Sequence, residues 1–247
     1  MDIRQYLDST YLKTADQAGI TKAENIAVVE DCIQEAIDEG FKLIMIRPDM
    51  VAMAKEMITI AKSKVTIGTV IDFPDGNGLL EDKLKEAEKA IHDGADDLDY
   101  VVDYEAFKRG ETDAVKKQVL EGTRLGLSHG KIVKWIIEVA ALNDHQIVQL
   151  SALIKNVVMA NFKEDQYGNV FVKSSTGFYK TKGGLPNGAT VPTIKLMIEN
   201  SFPLPVKAAG GVRTYDEALE MIALGVKRIG TSSAKAIANG EVSKNEY

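Results

Sequence analysis

The sequence predicts an α/β fold built on a parallel sheet, because short apolar stretches alternate with amphipathic stretches along the chain. Eight apolar stretches have the length and composition of strands, and they start near residues 7, 43, 65, 97, 132, 170, 206 and 228. Nearly every neighbouring pair is separated by one helical stretch, as in βαβ units. Eight such units in 247 residues suit a TIM (β/α)8 barrel better than an open sheet. No linker is evident, so we expect a single domain over residues 1–247.

Local patterns indicate the individual elements. Apolar residues recur at helical spacing from Lys22 to Glu39, and Gly40 ends this helix. Two later helices begin at capping boxes, at residues 143–146 and 214–217. The predicted strands cover residues 6–12, 43–46, 65–71, 97–102, 132–139, 170–173, the region around 207, and 227–230. The predicted helices cover residues 22–39, 50–61, 80–91, 112–126, 143–157, 192–199, 214–224 and a short stretch from 232.

Composition excludes several classes of function. The net charge of −6 disfavours nucleic acid as a partner, although a local site for a small phosphorylated ligand stays open. The single cysteine, Cys32, rules out an intrachain disulfide and suggests a reducing compartment; we expect it to be a small buried residue. The three histidines are scattered, so a structural zinc site is not expected. Neither a signal peptide nor a membrane span is present, so we expect a cytoplasmic protein with no membrane partner.

Two lysines lie inside predicted strands, where lysine is uncommon. Lys173 ends the sixth strand and Lys207 lies in the seventh, and glycines follow both. If both side chains point into the barrel, strands about 4.8 Å apart bring the two ammonium groups close together. Two neighbouring cations disfavour each other's charged forms, and a neutral lysine amine is the nucleophile of Schiff-base chemistry. The alternative is that one lysine turns to solvent or forms an ion pair with a carboxylate.

Asp99 is a carboxylate inside the apolar fourth strand. Facing inward, it could pair with the lysines and carry protons, as Schiff-base chemistry requires at several steps; alternatively, it is a structural partner of one lysine. Asp97 lies two residues before Asp99, so its side chain would point to the same face of the strand and would need its own partner. Lys134 and Glu138, four residues apart on the predicted fifth strand, would likewise point to one face of that strand. They could belong to the interior network or form a structural ion pair.

Glycines after the last three strands indicate a phosphate site. They are Gly177, the pair Gly210-Gly211, and the segment Gly230-Thr231-Ser232-Ser233. Glycines let backbone N–H groups approach an anion, and Ser232-Ser233 could open the last helix at its positive end. A phosphate site after strands seven and eight is common in TIM barrels.

At these residues the chain resembles the deoxyribose-phosphate aldolase family of class I (Schiff-base) aldolases. The two most specific matches are Lys173-Ser174-Ser175-Thr176-Gly177-Phe178 and Lys207-Ala208-Ala209-Gly210-Gly211-Val212-Arg213. Gly94-Ala95-Asp96-Asp97-Leu98-Asp99 and Phe73-Pro74-Asp75-Gly76 also match, and residues 7–12 and 230–233 match more weakly. The matching segments span almost the whole chain in the family's order.

The resemblance implies reversible cleavage of 2-deoxy-D-ribose 5-phosphate to D-glyceraldehyde 3-phosphate and acetaldehyde. Lys173 would form the Schiff base, Lys207 would lower its pKa and assist proton transfer, and Asp99 would join the proton relay. The phosphate and substrate would be held by Thr176, Gly177, Gly210, Gly211, Gly230, Ser232 and Ser233. No metal or cofactor is implied, because the protonated imine is the electron sink.

The chain departs from the family's pattern at three places and ends in a polar tail. Ser174 replaces the usual threonine, Val139 follows Glu138 where threonine is usual, and the polar segment 161–169 is longer than the family's turn. We expect the tail over residues 240–247 to be mobile, with Tyr247 as a possible lid. These departures bear on substrate preference more than on reaction class.

Two other functions fit the same pattern. One is a different phosphosugar lyase or isomerase, in which the lysines serve only as charge; the other is a non-catalytic sugar-phosphate binding protein. Borohydride reduction discriminates between them and the aldolase, because only an imine is trapped covalently. The sequence shows no decisive interface, and a homodimer is expected only as the commonest assembly.

Overall fold

A computed structural model of the protein describes residues 2–241. Eight parallel strands pair in sequence order, and the first strand also pairs with the eighth, so the sheet closes into a barrel. This confirms the predicted TIM barrel. The strands are β1 Leu7–Thr10, β2 Leu43–Ile46, β3 Thr66–Ile71, β4 Asp97–Val101, β5 Ile132–Ile136, β6 Val170–Lys173, β7 Val206–Ala209 and β8 Arg228–Thr231.

The helices surround this barrel and connect its strands. They are α1 Ala15–Ala18, α2 Lys22–Glu39, α3 Val51–Ile60, α4 Leu80–Asp93, α5 Tyr104–Lys108, α6 Thr112–Ser128, α7 Asp144–Asn161, α8 Val191–Ser201, α9 Tyr215–Leu224 and α10 Ala234–Asn239. The two capping boxes that the sequence predicts are present, at the starts of α7 and α9. The short helices α1 and α5 were not predicted, because each has too few residues to show a helical period.

Several predicted boundaries are wrong by a few residues. The first strand is shorter than predicted, and the fifth ends at Ile136 rather than at Val139. The fifth strand stops because Glu138 has a left-handed backbone (φ 51) that no strand accommodates. Part of the polar segment 161–169 forms a 3₁₀ helix, Glu164–Asn169. The predicted mobile tail, including Tyr247, lies mainly outside the described residues.

Apolar side chains of the strands and the inner helix faces form the main core. On its β4–β5 side, Trp135 stacks on Tyr100 with ring centroids 4.8 Å apart. The Trp135 Nε1–H donates to Thr123 Oγ1 at 3.0 Å, which satisfies the buried indole. Cys32 packs against this core and is half-buried, rather than buried as expected.

None of the helices within residues 2–241 is long and apolar enough to cross a membrane.

Gly122 on α6 lies directly against Trp135, so we expect Gly122→Ala to destabilise the fold. A Cβ there would stand 2.8 Å from the indole Cη2, and a large buried ring cannot move aside as a flexible side chain can. Alanine in a helix interior is favoured over glycine by about 1 kcal/mol, whereas overpacking costs about 1–3 kcal/mol. The free energy of unfolding in urea should therefore fall by about 1 kcal/mol, the difference between a typical overpacking cost and the helix preference. Gly168→Ala is the control, because nothing lies within 4 Å of its added Cβ; equal effects of the two variants would contradict the packing argument.

Candidate active site

Lys173 and Lys207 lie side by side on neighbouring strands. They are register partners across β6 and β7, and both side chains are buried inside the barrel. Lys173 is the last residue of β6, which places its amine at the carboxyl end of the barrel. This is the end at which TIM barrels bind their ligands.

Asp99 joins both lysines through one carboxylate oxygen. Its Oδ2 atom is 2.9 Å from Lys173 Nζ and 3.0 Å from Lys207 Nζ. Its Oδ1 atom accepts a hydrogen bond from Lys134 Nζ at 2.7 Å. Asp99 thus brings three buried ammonium groups around one carboxylate, and the lysines both face inward and form ion pairs.

A second layer of charges lies below this group. Lys134 also donates to Asp97 at 2.6 Å, and Asp97 accepts from Arg228 Nη2 at 3.3 Å. Arg228 Nε donates to Asp8 Oδ1 at 2.7 Å, and Asp8 Oδ2 is 2.7 Å from Lys207 Nζ. Lys134 therefore belongs to the interior network, which was one of the two predicted alternatives, and Asp97 has the partner it was expected to need.

Sequence reasoning missed two members of this network, Asp8 and Arg228. Each is a charged residue inside a predicted apolar strand, which is the same signal that singled out Asp99 and Lys207. Asp8 lies on β1 and Arg228 on β8, and these two strands become neighbours only when the barrel closes. Their pairing therefore joins the two ends of the sheet.

Positive charge exceeds negative charge in the network when every group is ionised. The cations are Lys134, Lys173, Lys207 and Arg228, and the anions are Asp8, Asp97 and Asp99. An uncompensated charge in a barrel interior is costly. Loss of one proton from one of the three lysines removes this excess positive charge.

The pKa values place that loss on Lys173. Burial lowers the pKa of Lys173, Asp99 opposes burial, and the charges of Lys207 and Lys134 lower the pKa as well, so that it comes to about 8. Burial is therefore a larger cause than the lysine–lysine repulsion that the sequence suggested. For Asp99, burial alone would raise the pKa, but the charges of Lys134, Lys173 and Lys207 hold it well below its usual range.

A cavity of about 110 Å³ adjoins Lys173 at the carboxyl end of the barrel. Six of the seven predicted phosphate and substrate residues line it, namely Thr176, Gly177, Gly210, Gly211, Gly230 and Ser232. Ser233 is not part of the lining, and its backbone N–H donates to Thr231 Oγ1 at 3.0 Å. The remaining lining residues include Thr10, Leu12, Asn187 and Arg213, which sequence reasoning did not assign to the site.

Gly230 has a second reason to be glycine. A Cβ at this position would lie 3.0 Å from Lys207 Cε and 3.3 Å from Ala209 Cβ. The missing side chain therefore leaves room for the Lys207 side chain as well as for a ligand. The sequence pattern alone suggested only the ligand.

Glu138 lies beside the cavity wall, buried and in the left-handed conformation noted above. Its carboxylate accepts hydrogen bonds from the Ser175 hydroxyl at 2.8 Å, from the Thr176 backbone N–H at 3.1 Å and from the Thr176 hydroxyl. Burial raises the pKa of Glu138. Its partners are in the loop after β6, and not Lys134 as one predicted alternative had it.

Arg47 holds an apolar group of side chains at the mouth of the barrel. Its guanidinium lies 4.8 Å from the centre of the Phe73 ring, and Phe73 packs edge-to-face on Phe178 at 5.1 Å. Arg47 Nε also donates to the Leu12 carbonyl at 2.7 Å. Of these residues, Leu12 lines the cavity, so the group borders the site through an apolar side chain.

The arrangement places a lysine with a depressed pKa, a second lysine and a carboxylate at one edge of a small polar cavity. Such a lysine is a nucleophile toward carbonyl compounds near neutral pH. Among residues 2–241, no group of three or more His, Cys, Asp or Glu side chains is placed to bind a metal ion.

Comparisons with known proteins show the family to which the chain belongs. The model of the DeoC/LacD family aldolases matches residues 5–240. The chain is 39% identical to the deoxyribose-phosphate aldolase of Thermococcus gammatolerans, over 97% of this chain and 96% of that protein. It is 35% identical to that of Streptococcus gordonii, over the full length of both. The solved structure of a tetrameric deoxyribose phosphate aldolase from Aeropyrum pernix is similar, with a TM-score of 0.77 and 28% identity over 96% of this chain and 89% of that one. The chain therefore belongs to the DeoC/LacD family of aldolases.

Proposed function

We propose that the protein is a deoxyribose-phosphate aldolase, a lyase that reversibly cleaves 2-deoxy-D-ribose 5-phosphate to D-glyceraldehyde 3-phosphate and acetaldehyde. The observation that carries this proposal is the pair Lys173 and Lys207, bridged by Asp99 at the edge of a glycine-lined cavity. Relatives of that name, 39% and 35% identical over nearly the whole chain, support the same substrate.

The reaction begins at the Lys173 amine. In its neutral form Lys173 attacks the C1 aldehyde of the open-chain sugar, and loss of water gives a protonated imine. The imine returns a positive charge to the Lys173 nitrogen, which lies 2.9 Å from the Asp99 carboxylate. Asp99 therefore stabilises the protonated imine in the same way as it stabilises the ammonium form of Lys173.

Cleavage breaks the bond between C2 and C3. The Lys207 ammonium gives its proton to the departing water during imine formation, and the neutral Lys207 amine then accepts the proton of the C3 hydroxyl. Glyceraldehyde 3-phosphate leaves, and the bonding electrons move to the imine nitrogen to form an enamine. A proton is then added at C2, and water hydrolyses the imine to release acetaldehyde. The reverse sequence adds the enamine to the acceptor aldehyde.

We assign the mobile proton to Lys207 rather than to Asp99. The pKa of Asp99 is held well below its usual range, so its carboxylate stays ionised and is a poor proton donor. Lys207 lies 3.0 Å from Asp99 and 2.7 Å from Asp8, so two carboxylates orient its ammonium group. Asp99 then acts in the relay by holding both lysine nitrogens at one oxygen.

We place the substrate phosphate on the glycine-rich side of the cavity. Gly210, Gly211, Gly230 and Ser232 line that side together with Thr176 and Gly177. The Gly177 N–H donates to Ser175 Oγ at 2.9 Å and the Ser233 N–H donates to Thr231 Oγ1 at 3.0 Å, so in the proposed site both residues contribute through the backbone shape that these bonds hold. Arg213 also lines the cavity and adds a positive charge there.

The same proposal covers the binding partners, the assembly and the cellular location of the protein. We propose small aldehydes and a phosphorylated sugar as the only substrates, with no nucleic acid partner and no cofactor. A cytoplasmic homodimer is the expected form, as the commonest closed assembly; the related protein of Aeropyrum pernix is a tetramer.

Reduction in the presence of acetaldehyde should label Lys173 covalently. Sodium borohydride reduces the imine to a stable ethyl-lysine, and peptide mass mapping locates it. We expect the label on Lys173 in the native protein, no label at that site in Lys173→Ala, and unchanged labelling in Lys227→Ala, which removes an exposed lysine at the start of β8. A label on Lys207 would overturn the assignment of the Schiff base, and no label at all would favour the isomerase or the binding protein.

The rate of imine formation should depend on pH with a midpoint near 8, because the nucleophile is neutral Lys173 and its pKa is lowered to about 8. The rate of trapping by cyanoborohydride should rise as pH increases through the midpoint and then level off. Asp99→Asn should move the midpoint to lower pH, since the carboxylate favours the ammonium form. Lys207→Met should move it to higher pH, since the second cation disfavours that form. Shifts in the same direction in both variants would contradict the charge argument.

A further inference from the structure

Glu138 is a buried carboxylate that the proposed reaction does not use. Only 1% of its surface is exposed, and it is not part of the cavity lining. Its backbone is left-handed (φ 51), a conformation that non-glycine residues seldom adopt. A buried charge on an unfavourable backbone suggests that its position serves a function.

Among residues 2–241, every hydrogen bond that the Glu138 carboxylate accepts comes from two residues of the loop after β6. The backbone N–H and hydroxyl of Thr176 donate to Oε2, and the one proton of the Ser175 hydroxyl is shared between Oε1 at 2.8 Å and the Asn187 carbonyl at 2.6 Å. The two Thr176 donors bind an ionised carboxylate more strongly than a neutral amide.

The two hydroxyl groups in turn fix the backbone that follows. Ser175 Oγ accepts the Gly177 N–H at 2.9 Å, and Thr176 Oγ1 accepts the Phe178 N–H at 3.0 Å. Because carboxylate and carbonyl oxygens take the hydroxyl protons, the oxygen lone pairs face these N–H groups. Asn187 Nδ2 also donates to the Gly177 carbonyl at 3.1 Å, so Glu138 and Asn187 together determine the shape of the turn over residues 175–178.

This turn forms one wall of the cavity. Thr176 and Gly177 line it next to Gly210, Gly211 and Ser232. The turn lies between Glu138 and the cavity. Its hydrogen-bond donors therefore compensate the negative charge of Glu138 and separate it from an anion bound in the cavity. Lys173 ends the strand that leads into the same turn.

We propose that Glu138 is a positioning residue that shapes the phosphate side of the cavity through Ser175 and Thr176. It acts on binding of the phosphate group and not on the Schiff-base step. The choice of substrate in this inference rests on the proposed function, whereas the binding of phosphate itself does not depend on it.

The test compares 2-deoxy-D-ribose 5-phosphate with 2-deoxy-D-ribose in Glu138→Gln. The glutamine removes the charge that strengthens the hydrogen bonds from Thr176, and the loss of a hydrogen bond to a charged group corresponds to a factor of about 10–100. We expect KM for the phosphorylated sugar to rise by about that factor, while KM for the free sugar and the borohydride label on Lys173 stay unchanged. Calorimetry with inorganic phosphate should show a comparable loss of affinity.

Glu86→Gln is the matched control. Glu86 is a half-buried glutamate at the same end of the barrel, burial raises its pKa, and it accepts the Asp72 backbone N–H at 2.7 Å, away from the turn. We expect this variant to leave the ratio of the two KM values unchanged.

Equal losses of kcat with both sugars at constant KM would overturn the proposal, because Glu138 would then act on the chemistry. Unchanged phosphate affinity in Glu138→Gln would also overturn it. If circular dichroism shows that Glu138→Gln is unfolded, Ser175→Ala replaces it, since this variant removes the acceptor of the Gly177 N–H; wild-type phosphate affinity in folded Ser175→Ala would reject the mechanism. Failure of the native protein to cleave the phosphorylated sugar would reject the proposed function alone, because the calorimetric comparison still decides the role of Glu138.

Discussion

A single carboxylate, that of Asp99, organises the interior of this barrel. It lies within 3.0 Å of three lysine ammonium groups, contributed by β5, β6 and β7. Removing one partner of a buried ion pair typically costs about 3–5 kcal/mol, because the other charge is left unpaired. The position of both lysines at the cavity, and the protonation state of the one that would react, follow from this contact.

The balance between burial and ion pairing sets the reactivity of Lys173. Burial by itself can lower the pKa of a lysine by up to about 3–5 units. The amine of a lysine with so low a pKa would be only weakly basic. Asp99 opposes burial, and the pKa of Lys173 settles at about 8. Asp99 therefore has two opposite effects. It holds the side chain in place, and it keeps the amine basic enough to exchange protons near neutral pH.

Backbone irregularities collect at the carboxyl end of the barrel. Asp72 and Glu138 both have positive φ values, and each lies one or two residues after the end of a strand. Each carries a carboxylate that receives hydrogen bonds from the adjacent loop, from the Gly78 N–H to Asp72 and from the Thr176 N–H to Glu138. Local sequence preferences are commonly violated where a site must be shaped. The regular part of the barrel holds the lysines, and these two loops shape the space in front of them.

The sequence determined the fold class and the reacting lysine motifs, because both depend on local information. Alternating apolar strands and helices specify a βα barrel, and a lysine in an apolar strand is conspicuous without any partner. The tertiary structure decided which charges meet. Asp8 and Arg228 are 220 residues apart and become partners only because β1 and β8 close the barrel. Glu138 lies 38 residues before Thr176 and reaches it only through an unfavourable backbone turn. Side-chain charges interact through space over a few ångströms, so their pairing depends on strand register and barrel closure, which no single segment of the sequence contains.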